Sequence, residues 1–468
     1  MSSGAVAVFH GAHTEHMAAT SELTDDPRRR GFLSTAAQTY GAQIGVAVVS
    51  LGNVMIVSRV LGPDGRGQFA FLTAIAFLTS SLGTASVQEA NVNLASSEPT
   101  LRRTLATNSV LLAAVLGCLG IAVVTGLVLI APGIAGEASR LLLALTLASL
   151  PMLILNTYLR FLIQGEYGFA VTNAAWFLPA VINISVNGLL AVGGVLTVGT
   201  ALATWIGGQA IATGILAWYV ARRSTGFGRP SLAVARRTLG FGTRSHLGRI
   251  MLLANYRLDQ WILGAIAGAS ELGLYSVAVA LAEALLLLPT ALSAVQRPDL
   301  VRASSSAAVW QASRIFRAAV LVTGVCAAVL VVAAPFVVTL LFGEEFRGAV
   351  DDLRILAAGA FGIVALKQLG GALVARQKPL LSSFAIGSAF VSTVVLDLLL
   401  IPAHGGLGAA FASTVSYTLG GVVVVGVFTR SLGGRATDLV PRLSDVRAIR
   451  GRLRRREPVA ASAGIDET

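Results

Sequence analysis

The sequence predicts an all-α polytopic membrane protein, with about 12 transmembrane helices in two pseudo-symmetric six-helix lobes around a central cavity. Three observations predict it. Hydrophobic residues make up 55% of the 468 and charged residues only 12%, about half the charge of a soluble protein. Apolar runs of about 18 residues or more recur from end to end, each long enough to cross a bilayer. The two halves of the chain also echo each other.

The runs lie near 37–58, 67–88, 105–130, 140–162, 170–192, 198–220, 243–268, 272–295, 315–340, 353–375, 380–401 and 405–428. Short loops join them. Pro151, Pro179, Pro289 and Pro335 fall in or near spans, where packed neighbours re-satisfy the freed backbone groups. With the N-terminus inside, 28 of the 35 Lys and Arg fall on the cytoplasmic side. Five fall outside (Arg59, Arg66, Arg140, Arg347, Arg354), and Arg257 and Lys367 lie within spans. That bias is a positive-inside signal for both termini in the cytoplasm. It places the chain in the plasma (inner) membrane and accounts for the +12 charge without nucleic acid.

The expected divisions are a disordered N-terminal tail (1–32), a first lobe (33–221), a basic linker (222–242), a second lobe (243–430) and a basic C-terminal tail (431–468). His10, His13 and His16 read as incidental residues of the first tail. The run from Arg447 to Arg456 can lie on anionic lipid. No apolar stretch precedes the first span as a signal peptide would. Cys118 and Cys326 sit inside spans and read as small core residues. There is no Walker-type phosphate loop and no zinc-spaced Cys/His cluster, so no built-in ATPase and no resident metal or other cofactor is expected.

The repeat is visible at Leu61-Gly62 running to Gly67-Gln-Phe69 and at Leu263-Gly264 running to Gly273-Leu-Tyr275. Trp205-Ile-Gly-Gly echoes Tyr417-Thr-Leu-Gly-Gly. Six spans separate the copies, so the lobes are parallel repeats about an axis along the membrane normal.

Four segments carry a family resemblance: Ser58-Arg59-Val-Leu-Gly-Pro63-Asp64; Asp259-Gln-Trp-Ile-Leu-Gly264 running to Tyr275; Leu341-Phe-Gly-Glu-Glu345-Phe346; and Leu399-Leu-Ile-Pro402 running to Gly408 and Tyr417. In this order the chain resembles the polysaccharide biosynthesis proteins, the Wzx-type oligosaccharide flippases of the multidrug/oligosaccharidyl-lipid/polysaccharide exporter superfamily, over roughly residues 33–430. The resemblance implies a transporter rather than an enzyme. It implies flipping of a polyprenyl-diphosphate-linked oligosaccharide from the inner to the outer leaflet by alternating access. Alternatives are a drug exporter or lipid II flippase of the same fold, or a membrane glycosyltransferase, polymerase or ligase using the same lipid carrier. The short outer loops count against the enzymes. The lipid-linked cargo and membrane lipids are the expected partners, together with a glycan polymerase or glycosyltransferase, and the protein itself is expected as a monomer. Coupling to protons, sodium or membrane potential is left open.

Charges at bilayer depth are costly and mark function or structural pairing. A continuous span 7 starting near Gly242 would put Arg257 about 22 Å deep. Asp259, two residues on, would point elsewhere, so the two do not pair. Asn255 and Gln260 give each a polar neighbour. Arg257 either meets an anionic cargo, whose phosphate its fork matches, or bonds other helices. Asp259 carries the same two readings. Glu283, among apolar residues, is a coupling carboxylate or a helix-bonding group. Lys367 reads acidic cargo or pairs with Glu283 or Asp397. Asp397 is a coupling candidate, otherwise a solvated end residue. Arg59 is a cavity rim residue or a loop anchor. Asn183 and Asn187, one turn apart, bond sugar hydroxyls or each other across helices. Glu344, Glu345, Asp351 and Asp352 read as a solvated outer loop.

Overall fold

A computed structural model describes residues 27–223, 226–287, 289 and 305–442. The three tail histidines and the basic run from Arg447 lie outside them. The described residues hold helices and no strand. In lipid, only a helix satisfies every backbone group within one segment. In the first lobe these are α1 (Pro27–Gly83), α2 (Val87–Ser97), α3 (Arg102–Ile130), α4 (Arg140–Ala148), α5 (Leu150–Gly165), α6 (Phe169–Val192) and α7 (Val198–Arg222). Then come α8 (Leu232–Ala254), α9 (Leu258–Ile266), α10 (Ala269–Leu285), α11 (Ser305–Phe342), α12 (Ala349–Ala375) and α13 (Pro379–Leu432). Seven stretches are long and apolar enough to cross a membrane by length and composition among the described residues. Where described, each of the twelve predicted spans falls on helix, in one or two pieces.

Two long helices are pairs. Gly62 (φ 65°, ψ −175°) breaks α1 and Gly405 (φ 55°, ψ −131°) breaks α13, conformations that glycine adopts without a Cβ penalty. Each break turns the chain back on itself. Ser416 Oγ donates to Ser392 Oγ at 3.1 Å between the arms of α13. Leu51 and Val54 on one arm of α1 and Ala70 and Thr73 on the other line one cavity.

Other predicted spans are interrupted. Span 2 stops at Gly83, and Ala85 and Ser86 take positive φ before α2. Span 4 divides at Ser149 into α4 and α5. Span 7 divides at Asn255–Arg257 into α8 and α9, so a continuous helix carrying Arg257 at its centre is not what forms.

The expected boundary at 242/243 falls inside α8, which begins in the linker. That start is fastened to the first lobe. Asn108 Nδ2 donates to Ser231 O at 2.9 Å, and Ser231 N donates back to Asn108 Oδ1 at 3.1 Å. Gly228 N donates to Thr107 Oγ1 at 3.0 Å. The Arg237 guanidinium beside Glu98, at 2.9 Å, holds that carboxyl below its usual range.

Packing divides the molecule along its long axis. One apolar cluster joins both lobes near the turns at Gly62 and Gly343, with Phe71, Leu72 and Ile75 against Leu263, Leu272 and Val277. We call this the outer end, on the expected positive-inside orientation. Toward the other end the clusters separate: Leu105, Leu162 and Val220 belong to the first lobe, Phe316, Leu369 and Phe428 to the second. Among the described residues the lobes share one apolar cluster at the outer end, and at the other end α8 bridges them through Asn108, Glu98 and the packing of Leu239.

Asn108 is buried and Ser231 half-buried, so Asn108→Ala leaves Ser231 groups unmatched, a loss of about 1–3 kcal/mol. A clear drop in the detergent thermal midpoint is expected, larger than for Arg237→Ala at the exposed ion pair. Equal midpoints for Asn108→Ala and the parent would show that this fastening is dispensable.

Candidate functional site: a cavity between the lobes

The interruption of span 7 builds the site. Asn255 ends α8, and Arg257 (φ −146°, ψ −7°) sits outside helical geometry as the residue before α9. A break frees backbone groups that need partners. The Tyr417 hydroxyl donates to Asn255 O at 2.8 Å. Arg257 Nη1 donates to Tyr256 O at 2.8 Å. Asp259 Oδ1 accepts from Gln260 N at 2.7 Å, an acid placed at the start of α9 where the helix dipole favours it.

From this break Arg257 reaches α10. Its Nη1 donates to Glu283 Oε1 at 2.8 Å. The two side chains stay 28% and 41% exposed because they line a cavity. That cavity holds about 350 Å³ between α1 of the first lobe and α9 and α10 of the second. Its polar lining includes Arg66, Arg257, Gln260, Ser276 and Glu283.

Arg66, counted among the outer-side residues, is buried in this wall, 8% exposed. Its Nε has no hydrogen-bond partner, and its guanidinium stands 5.9 Å from the Phe69 ring centroid. Sequence reasoning missed it because the turn at Gly62 is so tight that Arg66 already belongs to the returning arm. The signal was its spacing to Ala70 and Thr73, which puts all three on one helical face.

The remaining candidates disperse. Asp259 turns away from Arg257 into the second lobe, where Tyr275 donates its hydroxyl to Oδ2 at 2.6 Å. A smaller pocket of about 40 Å³, lined by Tyr256, Asp259, Tyr275 and Tyr417, lies there. The side chain of Asn255 is buried, with its Oδ1 unpartnered. Lys367 stands 5.8 Å from the Tyr256 ring, and Glu283 takes Arg257 as its ion-pair partner. Asn187 Nδ2 donates to Asn53 Oδ1 at 2.8 Å within the first lobe, and Asn183 is buried beside it; neither lines the cavity. Arg59 donates from Nε to Leu341 O at 2.9 Å at the outer end, across the lobes.

Two expectations are corrected. Asp397 is not a solvated end residue: it is 0% exposed, and neither carboxylate oxygen has a hydrogen-bond partner. Thr393 and Ile401, one turn to either side, are buried too, so that face of α13 points inward. Asp352 likewise leaves the outer loop and is buried against Gly406. Among the described residues no group of three His, Cys, Asp or Glu is placed to hold a metal ion.

Residues 33–304 match the model of the family described as "Polysaccharide biosynthesis protein". The chain belongs to the polysaccharide biosynthesis protein family. One curated relative of this polysaccharide biosynthesis protein is a probable flippase AglR of Haloferax volcanii, 30% identical over 176 residues, which are 36% of this chain and 37% of that protein. Its fold is shared with an inward-facing multidrug resistance MATE family transporter of the MOP superfamily, at TM-score 0.68 and 13% identity, covering 83% of this chain and 94% of that one. The lipid II flippase MurJ in an inward closed conformation aligns at TM-score 0.67 and 12% identity, covering 86% and 89%. These proteins are described as flippases and transporters, not as enzymes.

A carboxylate buried without a partner destabilises its host. Asp397→Asn keeps the shape and removes the ionisable carboxyl, so it is expected to stabilise the fold by on the order of 1–3 kcal/mol, read as a raised detergent thermal midpoint at pH 8. A lowered midpoint would reveal a stabilising partner for the carboxylate.

Proposed function

We propose that this polysaccharide biosynthesis protein flips a polyprenyl-diphosphate-linked oligosaccharide from the inner to the outer leaflet of the plasma membrane, for exopolysaccharide or cell-envelope glycan synthesis. One observation carries the reading: the interlobe cavity is lined by two arginines and one carboxylate. Glu283 offsets Arg257, and Arg66 supplies the excess positive charge. A diphosphate is the head group such a wall suits, since guanidinium forks match phosphate oxygens in pairs. The cavity is of ligand-pocket size and lies between the two lobes, where a head group would meet both.

No bond is made or broken. The protein shelters the charged head while the prenyl tail stays in lipid. Release follows when the lobes rock and the cavity faces out. With both termini cytoplasmic, an inside-negative potential favours the outward movement of the diphosphate by about 2.3 kcal/mol per charge per 100 mV. The buried Asp397 carboxylate and Glu283 are the groups in this scheme that a proton or sodium ion would address. Export of cationic drugs fits less well, because two arginines in the wall repel such cargo.

The test is leaflet exchange in proteoliposomes carrying a fluorescent polyprenyl-diphosphate oligosaccharide. Arg66→Ala and Arg257→Ala should each slow flipping about tenfold, the effect of roughly 1.4 kcal/mol of lost head-group binding. Arg257→Lys should retain part, as a point charge without the fork. Flipping no faster than in empty vesicles, or a double alanine variant that flips normally while folded, would overturn the proposal. Exchange of lipid II alone would narrow the cargo to that head group.

A further inference from the structure

The contacts that close the outer end fall into reciprocal pairs. Arg59, on the first helix of the first lobe, donates through Nε to Leu341 O at 2.9 Å and also bonds Leu340 O, at the end of α11. Trp261, on the first helix of the second lobe, donates through Nε1 to Ile134 O at 3.2 Å, just past the end of α3. Positions 59 and 261 are 202 residues apart, the offset that relates Leu61-Gly62 to Leu263-Gly264. Each lobe thus sends a side-chain donor across to backbone carbonyls at, or just past, the end of the other lobe's third span.

A second pair uses carboxylates. Glu137, after α3, accepts from Ala269 N at 3.3 Å at the start of α10. Glu345, after α11, has Oε2 3.2 Å from the point where a Cβ on Gly62 would stand, at the turn into the returning arm of α1. Each glutamate follows its lobe's third helix and meets the start of the other lobe's second helix.

Between these pairs lies a glycine notch. A Cβ on Gly67 would stand 1.7 Å from Ala269 O, and one on Gly273 would stand 2.0 Å from Pro63 O. Gly67 and Gly273 are 206 residues apart, as are Pro63 and Ala269.

We infer that these positions form a two-fold-related clasp that holds the outer end shut and releases as a unit when the cavity opens outward. Helix ends carry backbone groups without intrahelical partners. The clasp satisfies them across the lobes when closed, and water satisfies them when open. Exchange with water makes each bond worth little net, so the closed state is held firmly enough to persist and weakly enough to reverse. Because both halves meet along one notch, neither separates while the other stays closed. The inference rests on the alternating-access part of the proposed function and not on the identity of the cargo.

The test is a distance measurement between spin labels at Ser139→Cys and Arg347→Cys, one exposed outer position on each lobe. The background replaces Cys118 and Cys326, which are both free, by alanine. The full chain in nanodiscs without cargo should show one main short distance. Arg59→Ala and Trp261→Phe should each add a longer distance and raise the open-to-closed ratio about fivefold, the equivalent of one lost hydrogen bond. The double variant should exceed either. An unchanged distance distribution in a monodisperse double variant would overturn the clasp. That result would leave the flipping proposal standing, and a failed flipping assay would leave the clasp standing.

Discussion

Hydrocarbon offers no partner to an unpaired backbone group, and the arrangement of this protein follows from where its helices break that rule. The interruption at Asn255–Arg257 is the central case. Tyr417 bonds the carbonyl of Asn255, Arg257 that of Tyr256, and Asp259 the amide of Gln260. Three polar side chains are thereby committed to one break. In return the chain gains a bend deep in the molecule at which a guanidinium can face a cavity instead of lipid. Filling the gap with continuous helix would remove the need for those side chains and also the site.

Charge then decides what the cavity accepts. Arg257 is matched by Glu283 at 2.8 Å and so contributes a polar, near-neutral patch at rest. Arg66 is the less compensated group, buried in the opposite lobe's wall. An anion bridging the two would bind both lobes at once and link cargo occupancy to lobe position. Asp259 and Asp397 stay out of this wall. They lie in the second lobe's interior, Asp259 bonded to Tyr275 and Asp397 to no described group.

The fold was legible from composition, run lengths and the Leu-Gly repeat, because a bilayer imposes its thickness directly on sequence. That Arg257 does not simply face lipid was legible too, through its misfit with an apolar run. What it touches was not: Glu283 is 26 residues away on another helix, and only packing brings them together. Span 7 itself was misread as continuous because Asn255-Tyr256-Arg257 carries no proline or glycine to announce a break. Arg66 was read as an outer loop residue, and its burial in the cavity wall was not legible, since a turn of a single glycine leaves almost no loop to count. Asp397 looked solvated from its distance to the span's end, and its complete burial is a tertiary fact that local sequence does not encode.

The reciprocity at the outer end bears on how such a chain arises. Residue i meeting j while the copy of j meets the copy of i is the rule of an isologous dimer. A six-helix unit with a glycine notch, a donor on its first helix and an acid after its third would pair with its own twin. Fusion of two such units frees each copy to change alone. The donor is now Arg59 in one half and Trp261 in the other. At the same 202-residue offset, Arg257 and Asp259 stand opposite Met55 and Val57, while Asn255 still matches Asn53. One half has kept an apolar crossing and the other has acquired the broken, charged one, a division of labour that a symmetric dimer could not hold.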